Sequence, residues 1–220
     1  MKSSMNKHIN TNIRAVLFDH DDTLVGTSEP MWVLHKFIAK KYYGKDLADE
    51  ELRRHWGIQL EELVCLLYDS ADAKKAMRYL LDHHKAYPKA IFEATSPVLR
   101  HLRKNNILTG VVTASVRISF EHDLAQNKVP KGLLDYTQTA EDTAHHKPDP
   151  LVFEPALAWL SSQGIKPNEV IYIGDGLHDM KAALGAGFDF LGVETGLVTA
   201  EEFKKAGGKS IGSLADLLTG

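Results

Sequence analysis

The chain has 220 residues, 44% of them hydrophobic and 25% charged, and carries a net charge of −3. That composition is globular and long enough for one good core with a smaller attached unit. Without a basic surplus, neither nucleic acid nor an anionic membrane is expected as a partner.

The opening MKSSMNKHINTN is polar and lacks the apolar segment of a signal peptide. No apolar run approaches the ~20 residues needed to span a bilayer. The first apolar run, IRAVLF (13–18), reads as a buried strand. FDHDDTLVG follows, with Asp19, Asp21 and Asp22 inside four residues. At ~4 Å and an effective dielectric near 20, each like-charged pair costs roughly 4 kcal/mol. A chain that places such repulsion at the rim of its core needs a reason for it.

Some eighty residues without a convincing strand come next, between Gly26 and Ile107. PMWVLHKFIAKKYY, LADEELRRHW, QLEELVCLLY and ADAKKAMRYLLDHHKAY all read as helices. Ala48, Leu52 and Trp56 fall at i, i+4 and i+8, which predicts one apolar face; Gly44 and Gly57 look like helix ends. Cys65 reads as a core thiol, and His83 and His84 as a helix surface. With one cysteine the chain forms no internal disulfide, which fits a reducing compartment, and a cytoplasmic protein is expected.

SPVLRHLRKN is a helix leading into a strand over 107–113. A helix over 115–127, a strand over 133–139, a helix over 150–163, a strand over 169–174, a helix over 178–186 and a strand over 188–194 complete the pattern. Alternation of this kind predicts an α/β fold. The expected architecture is a Rossmann-like parallel-sheet core, residues 1–26 and 92–220, with an all-helical cap domain inserted at 27–91.

Ligands of open parallel sheets bind beyond the carboxyl ends of the strands. Beyond the first strand come Asp19, Asp21, Asp22 and Thr23; beyond 107–113, Thr113, Ala114 and Ser115; beyond 133–139, Lys147 in HHKPDP; beyond 169–174, Asp175 and Asp179 in GDGLHD. Asp149 reads as an N-cap with Pro150 at the first helical position. GDG after a strand is no dinucleotide fingerprint, because the next required glycine position holds Asp179. His145 and His146 diverge as neighbours and read as solvated loop residues.

Together FDHDDTL, Thr113, Lys147 with KPDP, and GDGLHD resemble the four motifs of the haloacid dehalogenase superfamily, in the usual order and over the whole α/β core. The helical insertion resembles the cap of its phosphoglycolate-phosphatase-like branch. The resemblance implies a Mg²⁺ site formed by the carboxylates of Asp19 and Asp175 and the backbone carbonyl of Asp21. It also implies a phosphatase in which Asp19 attacks phosphorus to give an aspartyl-phosphate. Asp21 then serves as acid toward the leaving alcohol and as base toward water. Thr113 and Ala114 hold the phosphoryl group with backbone N–H groups of the following helix start, Lys147 adds positive charge, and Asp179 orients the lysine or a metal-bound water. Residues i and i+2 of extended chain share a side, so Asp22, where the family often has glycine, is a turn residue outside the chemistry.

The chain departs from the family at Gly26-Thr27, where Asp-Ser is common, and in YPKAIFEATSPVL, which lacks the Pro-Gly often found there. Within the cap segment LRRHWGIQ (52–59), Arg53, Arg54 and His55 are left for solvent or for an anionic leaving group. The expected substrate is a small phosphorylated metabolite. A phosphomutase shares all four motifs, and a non-catalytic phospho-ligand binding protein is the alternative from another class. A haloacid dehalogenase proper lacks the second acid, so Asp21 argues against it.

Overall fold

In a computed structural model of the chain, residues 8–58 and 60–219 are described. The polar opening up to Lys7, and Gln59 of the LRRHWGIQ segment, lie outside them. In chain order the elements are β1 (Ala15–Phe18), β2 (Val25–Gly26), α1 (Ser28–Tyr43), α2 (Asp49–His55), α3 (Leu60–Tyr68), α4 (Ala73–His83), β3 (Ala90–Ile91), α5 (Thr95–Lys104), β4 (Leu108–Val112), α6 (Arg117–Gln126), β5 (Tyr136–Gln138), α7 (Glu154–Ser162), β6 (Val170–Gly174), α8 (Leu177–Gly185), β7 (Asp189–Val193), α9 (Ala200–Lys205) and β8 (Ser210–Ile211). They fall into two compact units. One runs through Gly26 and resumes at Ala90; the other is Thr27–Lys89.

The first unit is an α/β fold built on a six-stranded sheet of order β5-β4-β1-β6-β7-β8, parallel throughout. β1 is buried along its whole length. Its side chains alternate faces. Val16 and Phe18 enter a layer with Leu99 and Leu102 of α5 and Phe120 of α6, while Ala15 and Leu17 enter the opposite layer with Leu160 of α7 and Ala183 of α8. Cover on both faces is why the strand reads as a continuous apolar run. Truncating Leu17 or Phe18 would cost about 2–5 kcal/mol.

Strand β5 is shorter than the apolar run 133–139 suggests. Residues 131–133 form a 3-10 turn, and the Asp135 carboxylate accepts the Thr109 N–H at 2.9 Å, so the ladder starts only at Tyr136. Three features were not expected from the sequence. Strand β8 adds a sixth member at the edge. Helix α9 opens on a reciprocal cap between Thr199 and Glu202. Strands β2 and β3 pair antiparallel, Val25 with Ile91 and Gly26 with Ala90. Two-residue strands are too short for an alternation pattern to show.

The second unit contains α1–α4 and, among the described residues, no strand. Pro30 sits in the first turn of α1, where a missing N–H is tolerated. Gly44 closes the helix at φ +67°, donating its N–H to Ala39 O. Leu34 and Ile38 of α1, Leu52 of α2, Leu63, Val64 and Leu67 of α3 and Leu80 of α4 form its core. The proposed Ala48–Leu52–Trp56 face is not a helix face. Helix α2 spans only seven residues, with Ala48 an exposed N-cap and Trp56 already extended beyond the end, so only Leu52 of the three is a buried helical position. Cys65 is half-buried, so it is no core thiol. His83 is more than a surface residue: its Nε2 lies 2.7 Å from Tyr42 Oη and its ring meets Phe37 edge-on. Among the described residues no helix is long and apolar enough to cross a membrane.

Candidate active site

The carboxyl ends of β1, β4 and β6 stand side by side in the sheet. Beyond β1 the chain turns sharply. The His20 carbonyl accepts from the backbone N–H groups of Leu24 and Val25 at 2.9 and 3.1 Å. Asp22 in that turn has φ +53° and is buried. The left-handed backbone explains a family preference for glycine there, and Asp is among the residues that tolerate it. Thr195, after β7, donates its hydroxyl to the Asp22 carbonyl at 2.6 Å.

Asp19 and Lys147 meet although 128 residues separate them. Lys147 Nζ donates to Asp19 Oδ1 at 2.7 Å and lies 2.8 Å from Asp179 Oδ1. The three side chains are 4%, 9% and 0% exposed for Lys147, Asp19 and Asp179. Asp149 caps the turn over Pro150–Phe153 by accepting from Leu151 N–H at 3.0 Å, with Pro150 at its first position, and so leaves Lys147 on the preceding loop. Below the ammonium, Nζ is 5.0 Å from the centre of the buried Tyr172 ring, and Tyr172 Oη donates to Val112 O at 2.7 Å.

Asp175 follows β6. Asp179, at the third position of α8, turns back to accept the Gly176 N–H at 2.9 Å. Two glycines make room. A Cβ at Gly174 would stand 2.7 Å from the Asp179 carboxyl carbon, and a Cβ at Gly196 would collide with the Asp175 carboxylate.

Beyond β4, Thr113 is buried and its Oγ1 accepts from Ser115 N–H at 3.0 Å. Ala114 is exposed. Ser115 Oγ donates to Asp21 Oδ2 at 2.5 Å. The expected helix start at 115 is displaced: α6 begins at Arg117, whose N–H is taken by both oxygens of Glu141 at 3.0 Å. That N–H therefore does not serve as a phosphate donor. His145 Nδ1 lies 3.1 Å from Asp149 Oδ2, and His146 is exposed. Arg53 and Arg54 are exposed and His55 is half-buried in the last turn of α2, within the second unit.

The electrostatics of the cluster are those of too many carboxylates. Burial raises Asp19 from 3.8 to about 6, with Lys147 pulling it back and Asp179 and Asp21 adding to the rise. Burial, then the charges of Asp179, Asp19 and Asp22, pushes Asp175 well above the usual carboxylate range. Burial alone would raise Asp179 too, but Lys147, His178 and the Gly176 N–H together hold it low. Burial would lower Lys147, and Asp179 and Asp19 outweigh it, keeping the ammonium well above its ordinary value. Asp19, Asp175 and Asp179 each offer an oxygen within 4.8 Å of the others. An oxygen-only donor set in which Asp19 and Asp179 are buried, Asp175 is half-buried, and Asp19 and Asp175 resist ionisation without a counter-charge fits a hard divalent cation. Lys147 engages both Asp19 and Asp179, and the Gly176 N–H engages Asp179 as well.

Sequence reading placed Ser115 at the strand edge without a role, and it did not single out Tyr172, Thr195 or Gly196 as parts of this site. Thr195 and Gly196 follow the carboxyl end of β7, which is the signal that could have found them; Tyr172 lies in the middle of β6 and carries no such signal.

A parallel sheet with acids and a buried lysine at its carboxyl edge marks a known class of α/β protein. The chain belongs to the haloacid dehalogenase-like hydrolases, whose family profile matches residues 16–193. It is 27% identical over 177 residues to the pyrophosphatase PpaX of Bacillus cereus, covering 80% of each chain. The crystal structure of a protein named as a haloacid dehalogenase-like hydrolase from Bacteroides fragilis aligns over 93% of this chain and 99% of that one, at 30% identity and a TM-score of 0.76. A subfamily IA hydrolase of the same superfamily from Geobacter sulfurreducens, 21% identical, shares the fold with a TM-score of 0.69 over 94% of this chain and 98% of its own.

Proposed function

We propose that the protein is a Mg²⁺-dependent phosphatase that hydrolyses a small phosphorylated metabolite through an aspartyl-phosphate. The observation that carries this reading is the buried contact of Lys147 Nζ with Asp19 Oδ1 at 2.7 Å. It leaves the second carboxylate oxygen of Asp19 for attack and places a fixed positive charge where a phosphoryl group would gather negative charge. Asp19 Oδ2 attacks phosphorus and the alkoxide leaves. Asp21, two residues on and held by Ser115, gives its proton to that oxygen. The same carboxylate then takes a proton from the water that splits the acyl phosphate, returning Asp19 and inorganic phosphate. Thr113 and Ala114 border the phosphoryl position, and Asp179 keeps Lys147 in place. Asp19, Asp175 and the Asp21 carbonyl would hold the metal, which when bound offsets the charge of the carboxylates and of the transferring group.

We extend the reading to Arg53, Arg54 and His55 as substrate-binding groups on chemical grounds, a guanidinium suiting a carboxylate or second phosphate. A cytoplasmic location, without nucleic acid or membrane as partner, belongs to the same reading.

The test is trapping of the phosphoenzyme with a panel of labelled phosphorylated metabolites and acetyl phosphate, with and without Mg²⁺. Asp19→Asn should give no phosphoenzyme from any of them. Asp21→Asn should accept phosphate from acetyl phosphate, whose leaving group needs little protonation, and release it slowly. Accumulation in the Asp19 variant and none in the Asp21 variant would reverse the roles. Label passing to a second sugar phosphate in place of water would make the enzyme a mutase.

A further inference from the structure

Between Asp19 and Asp21 stands a histidine that the chemistry above does not use. His20 is completely buried. It lies just beyond the end of β1, and its side chain reaches helix α6. There Nε2 lies 3.1 Å from Oδ2 of Asp123, a residue of α6 that is itself buried. A carboxylate only accepts, so Nε2 carries the hydrogen. Phe120, one turn earlier on α6, meets the imidazole edge-on with ring centres 4.9 Å apart. The carboxylate of Asp21 is close by: one ligand atom from each of His20, Asp21 and Asp123 lies within 4.8 Å of the others. Nε2 and Oδ2 are already engaged with each other, so this second cluster is an anchor and not a cation site.

We infer that the His20–Asp123 pair is a positioning device that fixes Asp21 for proton transfer to the leaving group. The inference rests on the reading of Asp21 as the acid. Helix α6 follows directly from Thr113–Ser115, and Ser115 holds the Asp21 carboxylate. The acidic loop is therefore tied to the β4–α6 segment twice, at Asp21–Ser115 and at His20–Asp123. The His20 carbonyl is also the acceptor around which the loop turns. With one tie the loop can pivot; with two, the angle of Asp21 is set. A displacement of about 1 Å in a reacting group lowers rate by roughly a hundredfold. Asp19, fixed independently by Lys147 and by its N–H to Ile173 O at 2.8 Å, should be affected less.

The distinguishing measurement is the dependence of kcat/KM on the leaving group, since kcat/KM reports phosphoryl transfer to Asp19 and not the later hydrolysis that Asp21 also serves. p-Nitrophenyl phosphate expels a weakly basic anion that barely needs a proton; phenyl phosphate expels a more basic one that does. His20→Gln carries a nitrogen as many bonds from Cα as Nε2 and should keep the parent ratio between the two substrates. His20→Asn is one bond shorter and should lose about tenfold more kcat/KM on phenyl phosphate than on p-nitrophenyl phosphate. His20→Leu/Asp123→Leu strands no buried charge and should behave as His20→Asn does. The asparagine variant carries the test should the leucine pair fail to unfold cooperatively. Asp21→Asn, measured alongside, is the reference for full loss of the acid. If it steepens the leaving-group dependence while the pair variants lose both substrates equally or not at all, His20–Asp123 is packing only and the inference falls while the acid stands. If Asp21→Asn leaves the ratio unchanged, the acid reading fails and takes the inference with it.

Discussion

Lys147 Nζ lies 2.8 Å from Asp179 Oδ1, and the Asp179 side chain has no exposed surface at all. The lysine thus faces two carboxylates, and only Asp19 is free to leave it for another partner, since Asp179 is also pinned to Gly176. Lys147→Met should lower kcat on p-nitrophenyl phosphate by about a hundredfold or more. It should also destabilise the fold by about 3–5 kcal/mol, because it strands buried carboxylates. Adding Asp179→Asn should restore much of the stability and none of the rate. Denaturant unfolding and steady-state kinetics on the two variants check this; joint recovery would mean that the lysine acts only through the fold.

Magnesium should stabilise the protein in a pH-dependent way. In the fold Asp19 is raised from 3.8 to about 6. A group raised in this sense favours folding fully below its unfolded value, and the contribution disappears as the pH climbs through about 6. Metal competes with that proton. Added Mg²⁺ should therefore shift the melting temperature little near pH 5 and clearly near pH 7.5. Asp175→Asn should abolish most of the shift at the higher pH. An equal shift at both pH values would show that the ion binds elsewhere.

His35 supplies a second pH dependence, inside the helical unit. Its Nδ1 lies 2.7 Å from Tyr68 Oη, and burial lowers it from 6.5 to about 4. A base depressed in the fold contributes stability that is present above 6.5 and lost as the pH falls through about 4. The difference corresponds to roughly 3 kcal/mol. Unfolding curves from neutral pH down to about 4 should show the parent losing more stability than His35→Gln over that window. Parallel losses would mean that carboxylates alone govern it.

Truncating Arg53, Arg54 and His55 to alanine addresses specificity. KM should rise for the best substrate from the metabolite panel if that substrate carries a second anionic group, because remote contacts are lost. Hydrolysis of p-nitrophenyl phosphate should barely change. Equal losses on both would assign the end of α2 to the structure of its own unit.

The parallel strands and the strand-end positions of Asp19, Thr113, Lys147 and Asp175 could be read from the chain. Continuous apolar runs mark doubly covered strands; Asp19, Thr113 and Asp175 each follow one directly, and Lys147 comes on the loop that follows β5. What could not be read depends on which strands become neighbours. Ser115 reaches Asp21 across 94 residues of chain and His20 reaches Asp123 across 103. Tyr172 looked like one more apolar strand residue until the loop bearing Lys147 was laid over it. The start of the helix after Thr113 depends on a distant partner too, since α6 begins at Arg117 and Glu141 takes that N–H. The Ala48–Leu52–Trp56 spacing misled because a periodic pattern does not reveal how short its helix is.

The pairing of β2 with β3 has a consequence for the history of such chains. Backbone leaves the α/β unit at Gly26 and returns at Ala90, directly opposite in an antiparallel ladder, so exit and entrance are about 5 Å apart. A turn of roughly two to five residues closes such a gap. The sixty-odd intervening residues are in this sense a cassette. Excision, exchange or enlargement leaves the order of the six parallel strands, and the spacing of the acids at their ends, unaltered. Selection can then vary what is bolted on between Gly26 and Ala90 without rethreading the part that carries the chemistry.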